Sequence, residues 1–181
     1  MIVKDVIGEC LVKMGMKNFT LNDTLTDAEK ELRDSLLAAV NIAYREVVSE
    51  YLPLVTSESV TFENGVLSVN ALDKQILYPI RVTRGEEVKS FKAYPDKIFV
   101  KFSGEAVLEY AYMPAPLRAE DSINDLRLTQ SALSDGALGE YYFAEKVFDL
   151  ARNFDTSFRS KMGLLRYKGR RLRLKERGWQ E

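Results

Sequence analysis

The sequence predicts an α+β fold: a four-helix bundle formed by N- and C-terminal helix pairs, an inserted antiparallel β subdomain and a basic C-terminal arm. Three observations lead there. Apolar residues recur with a helical period at both ends of the chain and with a two-residue period in the middle. Each terminal helix pair carries an apolar stripe that it cannot bury alone, so the pairs are expected to close on one another. The last sixteen residues hold seven basic and two acidic side chains, a local charge of +5 in a chain of net −1, which leaves −6 on residues 1–165.

The first helix is expected over residues 2–14, where Val3, Val6, Ile7, Cys10, Leu11 and Met14 recur at three- and four-residue steps, with Gly15 as its stop. A polar loop follows. Thr26 and Glu29 have the spacing of a capping box, in which each side chain satisfies the other residue's backbone N–H. They open a long helix over 27–51, striped by Leu32, Leu36, Ala39, Val40, Ala43 and Val47 and ended by Pro53.

From there the period is two. Residues 59–63 and 66–69 flank Asn64-Gly65, a hairpin turn that needs positive φ. Strands are expected again over 76–84, 88–94, 97–102 and 105–112, making an antiparallel meander of about six strands. Several carry apolar residues on both faces, as in a compact sandwich or a sheet packed against another layer. Met113-Pro114-Ala115-Pro116 closes this section.

An acidic connector leads into a helix over about 131–153, with Leu133, Ala137, Tyr141, Ala144, Phe148 and Ala151 on one face. Gly136 and Gly139 mark close helix contact. Asp155 is the expected N-cap of a last helix that turns Phe158, Met162 and Leu165 inward and breaks at Gly169. The domain reading is a discontinuous bundle of 1–53 and 117–168, a β subdomain of 54–116 and an arm of 169–181.

Composition narrows the function. There is no histidine, which removes Ser-His-Asp and Cys-His pairs and histidine metal ligands. The single cysteine, Cys10, excludes an internal disulfide, fits folding in a cytosol, and sits on the apolar stripe as a core residue. Asp5 and Glu9 interrupt the first apolar stretch, so it is not read as a signal peptide, and no run approaches the roughly 18 apolar residues of a membrane span. Tyr142 and Lys146 match a YxxxK spacing, but no glycine-rich turn or βα repeat accompanies them, and they read as surface neighbours. Glu120, Asp121 and Asp125 lack the glycine and closing Glu of a calcium loop and read as a solvated connector, with Asp121 or Asp125 capping a turn. Glu86 and Glu87 read as solubility charges at a hairpin tip, and Phe91, Tyr94, Phe99, Phe102, Tyr110 and Tyr112 as sheet core. No catalytic, cofactor or metal residues are assigned.

The arm is the candidate partner-docking site: Arg170, Arg171, Leu172, Arg173, Leu174, Lys175 and Trp179. It has three readings. One is a disordered basic end. One is a phosphate-binding arm that displaces counterions from nucleic acid. One is a docking strand that buries Leu172 and Leu174 and presents guanidinium groups to carboxylates along a partner's sheet edge. The docking reading uses both the charge and the alternation; the nucleic-acid reading uses charge alone. Trp179 is either an interface anchor or an exposed terminal residue.

The order of elements resembles the head-to-tail adaptor (gatekeeper) proteins of tailed bacteriophages, the group that includes tail tubular protein A. The resemblance covers most of the chain. It rests on 36–45 (LLAAVNIAYR), on the last strand and proline corner at 106–114 (AVLEYAYMP), and on Tyr141-Tyr142-Phe143-Ala144 continuing through Asn153-Phe154-Asp155. It implies a virion structural protein of the neck rather than an enzyme, without cofactor, folded and assembled in the host cytoplasm. Its implied partners are the portal protein, tail or neck proteins, and copies of itself in a ring, usually dodecameric, through whose lumen packaged DNA passes; no membrane is involved. The arm would order on the portal or on a neighbouring subunit, where a ring multiplies weak contacts.

Overall fold

The computed structural model describes residues 1–20 and 24–169, with side chains through Leu165. The docking residues Arg170, Arg171, Leu172, Arg173, Leu174, Lys175 and Trp179 lie outside the described residues. The fold is mixed α+β, with four α-helices and antiparallel sheets among the described residues. The chain divides into two compact units, Met1–Val40 with Ser122–Glu181, and Asn41–Asp121.

In the first unit, α1 (Val3–Lys13) buries Val3, Val6, Ile7, Cys10 and Leu11, the stripe its spacing predicts. Gly15 ends it at φ +76°, with the amide of Met16 donating to the carbonyl of Leu11. The chain start is tied to the connector beyond the strands. Met1 and Ile123 exchange backbone hydrogen bonds of 3.3 and 2.8 Å, and Ile2 pairs with Ser122. Helix α2 (Asp27–Glu46) opens on the predicted box: the Thr26 amide donates to Glu29 Oε2 at 2.8 Å, and the Glu29 amide to Thr26 Oγ1 at 3.3 Å. Its first half buries Leu36, Ala39 and Val40.

Helices α3 (Gln130–Ala144) and α4 (Phe148–Gly169) correct the predicted break. The chain turns at 145–147, and Asp155 lies inside α4 instead of capping it. The turn is a C-terminal cap built on Lys146 at φ +62°, with the Val147 amide reaching the carbonyl of Tyr142 at 2.9 Å. A residue with a Cβ in this left-handed region costs about 1 kcal/mol, which is why glycine usually marks such a stop. The glycine signal is absent here, so the stop is silent in the sequence. Gly139 does mark close approach: a Cβ there would lie 3.4 Å from the Asp155 amide nitrogen and 3.7 Å from the Ala151 carbonyl oxygen. Thr129 caps α3, accepting from the Ala132 amide at 3.2 Å. Phe158 and Met162 are buried and Leu165 half-buried, as their spacing predicts. Gly169 is the last residue of α4.

In the second unit, the end of the long helix is a π turn over Val47–Tyr51 before Pro53. The strands β1 (Leu54–Phe62), β2 (Val66–Ser68), β3 (Ile76–Arg84), β4 (Glu87–Lys89), β5 (Phe91–Ala93), β6 (Lys97–Val100) and β7 (Gly104–Tyr112) form two sheets. Their orders are β1-β7-β3-β4 and β2-β6-β5, so the expected meander is corrected. The last strand is an interior one, pairing with β1 over nine residues and with β3 on its other side. The Asn64-Gly65 turn stands where predicted, at φ +51° and +77°. It sends the chain from one sheet to the other.

One core lies between the sheets: Val60, Phe62, Leu67, Val82, Ile98, Val100, Ala106, Leu108 and Tyr110. Each large apolar side chain buried there contributes about 1.5–3 kcal/mol relative to exposure. Phe91, Phe102 and Tyr112 pack against it, and the Phe62 and Phe102 rings meet edge to face at 5.6 Å. Tyr94 and Phe99 are exposed, so two of the six predicted core aromatics face outward. Period two alone does not choose which face meets the other sheet. The phenol of Tyr110 donates to Glu58 Oε2 at 2.6 Å; burial, reinforced by that carboxylate, pushes it up to about 12.

Two substitutions test these turns. A Cβ on Gly65 would lie 2.4 Å from the Val100 carbonyl oxygen at positive φ, so Gly65→Ala is expected to destabilise by about 2–3 kcal/mol in urea unfolding. Lys146→Gly removes left-handed strain from an exposed turn and is expected to raise stability by up to about 1 kcal/mol in the same assay.

Candidate functional site

The helical unit holds a buried carboxylate. Asp135 is 3% exposed, on α3, flanked by apolar neighbours at Leu133, Ala137 and Leu138. An isolated charge there would be very costly, so its oxygens must find donors. They find them on two other helices, α1 and α4. Lys13 of α1 reaches Oδ1 at 2.6 Å, and Lys161 of α4 reaches Oδ2 at 2.5 Å. Ser157 of α4 donates to Oδ2 at 2.5 Å. The lysines are held in turn. Lys13 donates to Ser134 Oγ at 2.7 Å and pairs with Glu9 at 3.0 Å; Lys161 donates to Ser131 Oγ at 2.8 Å. Ser134 Oγ donates to Glu9 Oε1 at 3.0 Å. Among the described residues no buried side-chain nitrogen or oxygen lacks a partner.

Burial pushes Asp135 up, but the hydrogen bonds from Lys13, Lys161 and Ser157 outweigh it and hold the carboxyl below its usual range. Burial likewise pulls Lys13 down, and the hydrogen bonds to Asp135 and Glu9 outweigh that and hold the ammonium above its usual range. The Lys13–Ser134 contact therefore differs from a serine–lysine nucleophile, whose lysine must be neutral to accept the hydroxyl proton. Cys10, whose thiol faces the Ser134 carbonyl at 3.7 Å, is pushed by burial up to about 12 and remains a thiol. The cluster fastens three helices and keeps its charges fixed.

The surface offers a different feature at the α3–α4 turn. Phe143 and Phe148 are 64% and 58% exposed, their rings 5.8 Å apart and edge to face. Val147 and Leu150 are exposed beside them. Behind this tip Tyr142 stacks on Phe154 at 5.7 Å. Phe148 was expected to point inward; the chain turns before it, and its stripe position is lost. An adjoining set of exposed apolar side chains of this kind marks an interaction surface more often than scattered ones do.

In the β unit an open cleft of about 360 Å³ is lined by Arg45, Asp73, Lys74, Gln75 and the proline corner. The Lys74 ammonium lies 4.0 Å above the Tyr112 ring, and Asp73 is the one carboxylate in the lining. No group of three or more potential metal ligands occurs among the described residues, and none of their helices is long and apolar enough to cross a membrane. Asp121 and Asp125 cap local turns, accepting from the amides of Arg118 at 2.7 Å and Arg127 at 2.9 Å. No family model and no curated protein sequence matches this chain.

Sequence reasoning missed the Asp135 cluster. Its trace was an aspartate spaced three residues from Leu138 and two from Leu133, on a helix of small apolar residues. Nothing in the sequence named its partners, 122 and 26 residues away.

Asp135→Asn keeps the side-chain volume and removes the charge. It is expected to cost about 2–4 kcal/mol at pH 7 in urea unfolding, because both ammonium groups keep some access to water. Asp135 is lowered in the fold, so its contribution is present above the unfolded value of 3.8 and is lost as pH falls through the lower folded value. Lys13 is raised, so its contribution is present below 10.5 and is lost as pH rises through the higher folded value. The stability gap to the variant should stay flat between about pH 5 and 10 and close on either side.

Proposed function

We propose that the protein is a virion structural protein, a head-to-tail adaptor of a tailed bacteriophage. In this reading it forms a ring below the portal and links the DNA-filled capsid to the tail. The single observation that carries the reading is the discontinuous helical unit, whose two chain segments are separated by an antiparallel β unit of some eighty residues. That element order is the one the resemblance rests on. The four helices close as a bundle in this proposal, and the bundles stand side by side around the ring.

Two further features support it. The exposed aromatic tip at Phe143 and Phe148 gives each subunit an apolar patch that a neighbour can cover. The charged cluster ties α1, α3 and α4 together, and the patch sits on the turn between two of these fastened helices, so binding does not have to order it. The basic arm, Arg170 to Lys175 with Trp179, supplies the contact to the portal or to a neighbouring subunit, and packaged DNA passes through the lumen. Weak contacts at each subunit add through the ring.

The test is ring assembly on purified portal-bearing capsids, read by negative-stain microscopy and co-sedimentation. Phe143→Ser with Phe148→Ser is expected to leave the thermal midpoint of the free subunit nearly unchanged and to lower capsid occupancy at least about tenfold, the scale of one or two lost interface anchors. Full occupancy by that variant removes the tip from the interface. Failure of the unaltered protein to bind portal, with duplex-DNA affinity that falls steeply with salt, favours the nucleic-acid reading.

A further inference from the structure

The smaller sheet turns two aromatic rings to water. Along β6 and the residue after it, the buried Ile98 and Val100 alternate with exposed Lys97, Phe99 and Lys101, so the face away from the core carries the second set. The strands on either side add to it. Phe99 stands between Val66 of β2 and Lys92 of β5, and Ser68 stands opposite Lys97. Tyr94, where the chain turns from β5 to β6, is 47% exposed and Phe99 38%. The Lys97 ammonium lies 5.9 Å from the centre of the Tyr94 ring. Phe99, Lys101 and Phe102 line an open hollow of about 500 Å³. Lys101 and Phe102 also border a second, of about 240 Å³, with Arg84 and Lys89, and the Arg84 guanidinium lies 5.0 Å from the centre of the Phe102 ring.

Residues 89–101 hold four lysines and one aspartate, a local charge of +3 in a chain of net −1. Lys89 is paired with Glu87, whereas Arg84, Lys92, Lys97 and Lys101 form no ion pair with a carboxylate among the described residues. Solubility calls for charge, but not for exposed rings beside it. A ligand for this face has to meet both features. An acidic peptide brings the charge and leaves the rings without a flat partner. A duplex brings phosphates but keeps its bases stacked on one another. An unpaired strand offers phosphates and free base faces together, and stacking on an aromatic ring tolerates any base. Lysines at every second position, about 7 Å apart, suit phosphates as point charges; they are not the forked donors that read base edges. Neither Val66 nor Lys92, the neighbours of Phe99, accepts a hydrogen bond from a ribose 2′-hydroxyl, which favours DNA over RNA.

We propose that the outer face of the β2-β6-β5 sheet binds single-stranded DNA without sequence preference. Bases stack on Phe99 and Tyr94, and Lys92, Lys97 and Lys101 neutralise phosphates. The site is separate from the basic arm and does not rest on the adaptor reading.

Fluorescence anisotropy with the full-length protein and a labelled oligo(dT) of about 20 nucleotides tests this. Lys92→Gln with Lys97→Gln and Lys101→Gln is expected to lower affinity at least about tenfold at low salt, and to reduce the slope of log affinity against log salt by about 2. Phe99→Ala with Tyr94→Ala is expected to lower affinity about tenfold and leave that slope unchanged, the mark of lost stacking; Phe99→Tyr is expected to keep it. All five positions are exposed, so the thermal midpoint should hold. A chain carrying Arg171→Glu with Arg173→Glu should still bind, and should lose affinity to the same sheet substitutions. No binding of oligo(dT) at low salt overturns the proposal. So does binding that is lost with the arm substitutions and untouched by those on the sheet. A duplex, an oligo(rU) or a polyglutamate bound as tightly as oligo(dT) overturns it too. None of these readouts involves ring assembly on portals, so this proposal and the adaptor reading stand or fall separately.

Discussion

The helical unit depends on one buried negative charge. Asp135 has almost no access to water, and its two oxygens are satisfied from α1 and α4 together. Either lysine alone leaves one oxygen short of its charged partner. The requirement reaches across the chain, because Lys13 and Asp135 are 122 residues apart with the whole β unit between them. The paired backbone of Met1 and Ile123 closes the same gap at the other end of α1. Apolar stripes would hold three helices together in more than one rotation. A fixed set of charge-assisted hydrogen bonds accepts far fewer arrangements.

The β unit has a parallel constraint. One of its interior strands is the last to be made: β7 carries Ala106, Leu108 and Tyr110 into the core and pairs with both β1 and β3. Until it arrives, β1 and β3 have no common neighbour. In both units the decisive contacts have high sequence separation, a topology that slows folding and raises its cooperativity. Interior order of this kind leaves the surfaces to vary. The exposed phenylalanines of the α3–α4 turn, Phe143 and Phe148, meet each other edge to face but keep most of their surface in water. An interface partner gives each of them a physical reason.

The adaptor proposal draws on this division of labour. A fastened interior carries an exposed aromatic patch at the α3–α4 turn. The charged cluster is unsuited to proton transfer, since its lysine and its carboxylate are each held more firmly in the charged state. Its effect is to position what lies on α3 and α4.

Local chemistry was legible in the sequence by itself. The 2–14 stripe, the Gly15 stop, the Thr26–Glu29 box and the Asn64-Gly65 turn each depend on neighbours within five residues, so spacing suffices to read them. The α3–α4 turn failed because Lys146 takes a conformation that the sequence code assigns to glycine. Strand order, the outward Tyr94 and Phe99, and the Asp135 cluster were decided only in three dimensions. Period two says which residues share a face, not which face is covered, and a lone aspartate on an apolar helix does not name its cations. Those choices are made by segments far apart in the chain, whose meeting is a property of the packed whole.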